Sequence, residues 1–383
     1  MFIAPVPYSI RLRIISSIAA VAGLSIVAGS GQARAEPVRL PVLVPVTGFL
    51  ALEGTSQRNG ALLALRGAPD LAVADVQDTA ASPETAVNAF EKVLSAGPVP
   101  AVIAPMLGTQ MLALMPLAAE RKVPLVTVSG TAQITEMGNP YVFRFFPGDA
   151  VVKTAHARYV VEEREAKRPA VIFQTTAYGQ SGRQYLAEAF QRLGAPVVFE
   201  EGVAPTVRDL KPVLAKALEA KPDAIVLHLH AGSTALLIRQ AAGMAGVPPI
   251  VAGSAMHQPA TAALLEPAEL KGVCAESGSS PVSGGTPAVE AWTRDYRAAF
   301  GADPDAFALA QYDGAMMMLA ALRAGARSPE AMRAWLASET HRGLAMTYRS
   351  DGKGNMAHDA VIVCYDGTDR TPRIVKRYVQ GVS

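Results

Sequence analysis

The chain has 383 residues, half of them hydrophobic and 18% charged, with a formal net charge of +2 at pH 7. Three basic and no acidic residues fall in the first 35, so the remaining 348 carry 32 basic against 33 acidic. That balance argues against nucleic acid or an anionic membrane as partner, because both demand a clear basic excess.

Residues 1–35 read as a cleaved export signal. Arg11 and Arg13 form a short basic region, Ile14 to Val27 an apolar run, and Ala33-Arg34-Ala35 the small-x-small pattern a signal peptidase cuts. The run falls short of the about 20 residues a membrane helix needs, and no cysteine follows it to carry a lipid. Cleavage after Ala35 and a periplasmic destination are expected. The remaining length suits two domains of ordinary size.

From Arg39 onward strand and helix patterns alternate. Leu40 to Val46, Val73 to Val76, Ala101 to Ala104 and Leu125 to Val128 read as strands. Between them, Ser56 to Arg66, the segment opened by Ser82-Pro83-Glu84, and Thr109 to Arg121 read as helices; a hydroxyl cap, a first-turn proline and an acid mark the second. The rhythm restarts after Phe143-Arg144-Phe145-Phe146-Pro147. Strands are expected at 170–173, 197–199, 224–229 and 250–252, and helices at 180–193, 209–220 and 233–245. Continuous apolar strands alternating with helices imply parallel sheets covered on both faces. Beyond Cys274 come helices with Val289, Trp292, Tyr296 and Phe300 on one face, then Ala306 to Ala324 and a helix capped by Ser328. Strands at 360–365 and 373–378 close the chain. The fold class is α/β, with two lobes and a cleft between them. Ligands of such sheets sit outside the carboxyl ends of the strands.

Two cysteines, Cys274 and Cys364, lie in apolar strand-like runs; in an oxidising compartment they invite a disulfide, with two buried thiols as the other reading. No CxxC or clustered histidine spacing points to a metal. His228 and His230 are two apart on one expected strand and so on one face, while His156, His341 and His358 read as surface residues. The chain has no GxSxG elbow, HExxH or P-loop, so neither an enzyme nor a cofactor is expected.

Several local patterns occur in a fixed order: Pro45-Val46-Thr47-Gly48, the segment Val123 to Thr131, Tyr141 to Phe145, Ala177-Tyr178-Gly179-Gln180, Pro222 to Val226, and Gln311-Tyr312-Asp313-Gly314. Together, behind an export signal, they resemble the branched-chain-amino-acid-binding family of type I periplasmic proteins, which serve ABC importers of hydrophobic and amide amino acids. The resemblance implies two doubly wound parallel-sheet lobes joined by a three-segment hinge, with residues 36–147 and 278–350 in lobe 1, and 148–277 and 351–383 in lobe 2. It implies a monomer, a small-molecule solute and a membrane permease as partners, or alternatively a ligand sensor signalling to a membrane receptor.

The family's carboxylate-binding loops correspond to Met106, Leu107, Gly108 and Thr109, and to Ser129, Gly130 and Thr131. A helix beginning near Thr109 supports this, since its free N–H groups attract an anion. Tyr178 is expected to close over the ligand and His230 to hydrogen-bond in the cleft; Ser254, Met256 and Tyr312 complete the implied set. Three departures stand out. The turn Gly253 to His257 has no acid to hold an ammonium, Gly108 replaces a common serine, and Glu53 stands where the family often has an aromatic, either to take over the ammonium role or as a solvated residue of the helix start. The implied solute is a small carboxylate: an amino acid, an amide, or an aromatic or organic acid.

Overall fold

The computed structural model describes residues 36–379, so the expected export signal and its cleavage site lie outside the described residues. β1 (Val38–Val44) is buried from Leu40 onward, as a strand covered on both faces must be. The chain turns at Gly48, where φ is +85°, and enters α1 (Ala51–Arg66). This start is five residues ahead of Ser56, and it places Glu53 in the first helical turn. There follow β2 (Ala72–Asp78), α2 (Pro83–Ser95), β3 (Val102–Ile103), α3 (Gly108–Arg121), β4 (Leu125–Thr127), α4 (Gln133–Glu136) and β5 (Val142–Arg144). Ser82 caps α2, its hydroxyl accepting the Thr85 N–H at 3.3 Å. The five strands form one parallel sheet in the order β2-β1-β3-β4-β5.

The second sheet begins after α5 (Asp149–Arg158). It is laid down through β6 (Pro169–Gln174), α6 (Ala177–Arg192), β7 (Phe199–Val203), α7 (Lys211–Glu219), β8 (Ala224–His228), α8 (Ala231–Ala242), β9 (Ile250–Ala252), α9 (Pro259–Ala262) and β10 (Cys274–Ser277). The chain then returns to the first sheet with α10 (Pro287–Phe300), α11 (Ala306–Arg323) and α12 (Pro329–Ser338). Phe307, Met317 and Met318 of α11 and Met332 of α12 share a core with Leu40 and Val42 of β1. A short ribbon, β11 (His341–Arg342) with β12 (Thr347–Tyr348), precedes the last passage to β13 (Ala360–Cys364) and β14 (Arg373–Tyr378). These join antiparallel to the second sheet, whose order is β14-β13-β10-β9-β8-β6-β7. The chain thus passes between the sheets three times.

Three expectations are corrected. The strand expected at Val197–Phe199 is Phe199–Val203, an edge strand whose two consecutive glutamates disguise it. His230 is not on a strand: β8 ends at His228, and the His230 carbonyl accepts the Thr234 N–H at 2.9 Å as the cap of α8. His156 is fully buried, with Nε2 at 3.1 Å from the Val251 carbonyl oxygen.

Cys274 and Cys364 face each other in the β10–β13 ladder and are bonded, with Cα atoms 4.0 Å apart. The bridge closes a loop of sequence separation 90. The paired Cys274→Ser, Cys364→Ser variant is expected to lose about 2–4 kcal/mol of stability. Urea melts of the oxidised and substituted proteins check this, and equal midpoints would refute it.

Candidate functional site

A cavity lies where the carboxyl ends of the two sheets meet. Its walls come from both sides. Leu50 and Glu53 stand at the start of α1, Met106 and Leu107 follow β3, Gly130 follows β4, and Phe307 opens α11; Tyr178, His230, Ser254 and Ala255 face them from the elements of the second sheet. Phe146, just past β5, completes the floor. The lining is mostly apolar, the profile of a small-molecule site with few orienting polar groups.

The loop after β3 is held from beneath. Gln57 of α1 donates to the Ala104 carbonyl at 2.8 Å and to Gln311 Oε1 at 2.9 Å, and its own Oε1 accepts the Met106 N–H at 3.1 Å. Gln110 and Met111 N–H groups bond back to the Leu107 carbonyl, whereas the preceding helical N–H groups at Gly108 and Thr109 precede any such acceptor. Beside them, the hydroxyls of Ser129 and Thr131 are fully buried and make no hydrogen bond. A side chain at position 108 would overlap the Thr131 hydroxyl and stand 2.8 Å from its Cβ, so glycine there is what makes room for Thr131.

Tyr178, on the first turn of α6, packs over Gly130, where an added Cβ would lie 3.2 Å from its ring. Its ring centroid is 3.9 Å from His228 and 5.3 Å from His230. The His228 Nε2–H donates to the Tyr178 carbonyl at 2.9 Å, and His230 Nε2 lies 3.1 Å from the Thr176 hydroxyl. Burial holds His230 down to about 3 and His228 well below its ordinary value, so both rings are neutral at pH 7.

Three acids stand at or behind the walls. Glu53 is 2% exposed; the Ala231 N–H, at the start of α8, donates to its Oε1 at 2.8 Å, and its Oε2 has no partner. Burial pushes its carboxyl up to about 7, against the lowering by that N–H. Asp149 is likewise pushed up to about 7 by burial, against the pull of Lys153. Glu276 of β10 is ion-paired with Lys153 of α5 and accepts the Ser254 N–H and hydroxyl at 2.8 Å each. Burial alone would raise Glu276, but Lys153, His156 and Ser254 outweigh it and hold the carboxyl below its ordinary range.

Of the residues expected at the site, Glu53, Met106, Leu107, Gly130, Tyr178, His230 and Ser254 line this one cavity; Gly108, Thr109, Ser129 and Thr131 do not line it. Met256 and Tyr312 stand elsewhere. The single turn Ser254–His257 aims Ala255 inward and carries Met256 into the core of the second sheet, where its carbonyl accepts the Tyr365 hydroxyl. Tyr312 is rotated off the sheet-facing side of α11 and packs on Trp292, with centroids 5.6 Å apart. Sequence reasoning missed Leu50, Phe146, Ala255 and Phe307, and the Lys153–Glu276 pair. Among the described residues no cluster of three or more His, Cys, Asp or Glu is placed to hold a metal, and no helix is long and apolar enough to cross a membrane.

Comparison with known proteins extends this picture. The sequence profile of the family described as "Periplasmic binding protein" matches residues 37–369. The Leu/Ile/Val-binding protein BraC3 of Rhizobium johnstonii is 26% identical over 57% of this chain and 62% of that protein. The leucine-, isoleucine-, valine-, threonine- and alanine-binding protein of Pseudomonas aeruginosa is 25% identical over 60% of this chain and 63% of its own length. Each match therefore spans less than two thirds of the relative. Among solved structures, a leucine-binding protein of Thermotoga maritima superposes with a TM-score of 0.81 at 22% identity, covering 89% of this chain and 98% of that one. A solute-binding protein of an R. palustris ABC transporter, in complex with benzoate, gives 0.81 at 17% identity over 89% and 96%. At these identities the structural likeness is one of fold. All four are described as binding proteins.

Proposed function

Because the chain belongs to the periplasmic binding protein family, we propose that it is the solute receptor of an ABC importer, exported by a leader cut after Ala35 and working as a monomer. Residues 36–147 with 278–350 form one lobe, and 148–277 with 351–379 the other. The solute is a small carboxylate with an apolar body. The observation that carries this reading is an apolar cavity between the sheets with an unsatisfied donor set directly behind its wall at Leu107 and Gly130. Ser129 and Thr131 have buried hydroxyls without partners beside the free N–H groups that open α3. Buried hydroxyls left unpaired are costly, and a carboxylate supplies the acceptors they lack. Met106, Leu107, Phe146, Phe307 and Tyr178 cover the apolar body. The ligand joins both walls and so favours the closed arrangement of the lobes.

A thermal-shift screen of the mature protein against amino acids, amides, aromatic acids and short dicarboxylates tests the reading. A ligand at 100 times its dissociation constant stabilises by about 2.7 kcal/mol. Thr131→Ala is expected to weaken the ligand so found by about 1–3 kcal/mol, read by calorimetric titration. Unchanged affinity would remove this end of the cavity from the site. Uptake by vesicles carrying the permease separates an importer subunit from a sensor of the same fold.

A further inference from the structure

We infer that Glu53 is the specificity carboxylate of this cavity: it takes a proton-donating group of the solute on one oxygen and latches the two sides of the cleft with the other. The inference rests on the receptor reading above. Glu53 belongs to the first turn of α1, on the first sheet, yet its Oε1 is held by the Ala231 N–H at the start of α8, on the second, at 2.8 Å. Its Oε2 is buried in the cavity wall without a partner. A carboxylate oxygen in that position is costly unless a donor meets it, and none of the cavity's lining residues is a lysine or arginine. The donor assigned to it is a group of the solute that fills the cavity.

Glu53 is the one acid among the lining residues; behind them Asp149 is drawn by the Lys153 charge although no hydrogen bond reaches its oxygens, and two other acids are engaged. Glu276 is bound by Lys153 and by both donors of Ser254. Asp305 takes Gln258 Nε2 at 2.6 Å, the Ala308 N–H at 2.8 Å and the Ser56 hydroxyl. Position 255, in the turn that follows β9, presents only an alanine methyl to the cavity. The N-terminal dipole of α8 favours a negative charge on Glu53, while its burial opposes one. A donor on the solute tips that balance toward the ionised form. The solute thus has an acceptor end at the α3 loop and an N–H or O–H donor at α1, and one side chain couples its recognition to closure.

Isothermal titration of the full mature chain tests this with two matched pairs: leucine against 4-methylpentanoate, and 3-hydroxybenzoate against benzoate. In at least one pair the donor-bearing member is expected to bind the wild type ten-fold or more tighter. Glu53→Gln is expected to erase that margin while leaving the donor-less acid within about three-fold, because the amide oxygen keeps the Ala231 bond and the amide nitrogen now faces the solute's donor. Which pair shows the margin distinguishes ammonium from hydroxyl. For the latch, ligand-free small-angle scattering should give a larger radius of gyration for Glu53→Ala than for Glu53→Gln. Equal binding within both pairs, or a margin that survives in Glu53→Gln, overturns the inference and leaves the receptor reading standing. Binding by none of the four acids overturns the carboxylate reading itself, and the inference with it.

Discussion

Lys153→Met is expected to destabilise the protein by about 3–5 kcal/mol, because it strands a buried carboxylate. The side chains of Lys153 and Glu276 are both fully buried, and the pair joins α5 to β10 beneath the cavity. Ser254 satisfies part of the Glu276 carboxylate but brings no charge. Asp149, one turn before Lys153 on α5, loses its main electrostatic support in the same variant. The sign with pH follows. In the wild type Glu276 is held below its ordinary range, so its contribution is present above the unfolded carboxyl value and fades as pH falls through the folded one. Without Lys153, burial dominates and the folded value rises above the unfolded one. Stability is then lost as pH rises, and the gap between variant and wild type widens from acid to mildly alkaline buffer. Urea denaturation at both ends of that range checks the magnitude and the trend. Lys153→Met combined with Glu276→Leu should recover much of the loss; no recovery would mean that the lysine acts by packing.

Gly60→Ala is expected to cost about 2–3 kcal/mol, toward the upper part of what overpacking usually costs. At this residue α1 meets α11 backbone to backbone. An added Cβ would overlap the Ala308 carbonyl oxygen and stand 2.8 Å from its carbon and 2.9 Å from Ala308 Cα. Nothing there is a flexible side-chain tip, so the helices themselves must separate. The cavity should register the change, since α1 carries Glu53 and α11 carries Phe307 into its walls. Thermal melts compare the variant with Gly232→Ala, where an added Cβ meets nothing within 4 Å and the effect should stay within about 0.5 kcal/mol. Equal melting temperatures for the two variants would refute the close approach.

The α/β architecture was legible because its signals are local. Buried strands read as unbroken apolar runs, and hydroxyl-proline-acid starts mark α2 and α12, where Ser82 and Ser328 do accept the expected N–H bonds. The carboxylate-end loops were legible through motif order more than through chemistry. What escaped depends on contacts that no short window contains. Asp149, Lys153 and His156 fall at i, i+4 and i+7, a polar stripe that reads as the wet side of a helix; here it turns inward because Glu276, 123 residues from Lys153, waits on the next layer. Phe145 and Phe146 are adjacent and alike in sequence, yet one packs on Tyr348 and the other lines the cavity. Glu53 was visible as an unusual residue, but its meaning required the start of α8 opposite it.

The placement of β13 beside β10 sets a timetable for the molecule's formation. The second sheet is open along one edge until the final strands arrive, and the first lacks the helix that packs on α1 until the chain is mostly made. Neither half is therefore complete until segments synthesised after most of the other have been made. Completion is a late event for both halves at once, and a chain truncated before Ala360 would leave β10 with a bare flank and Cys274 without its mate.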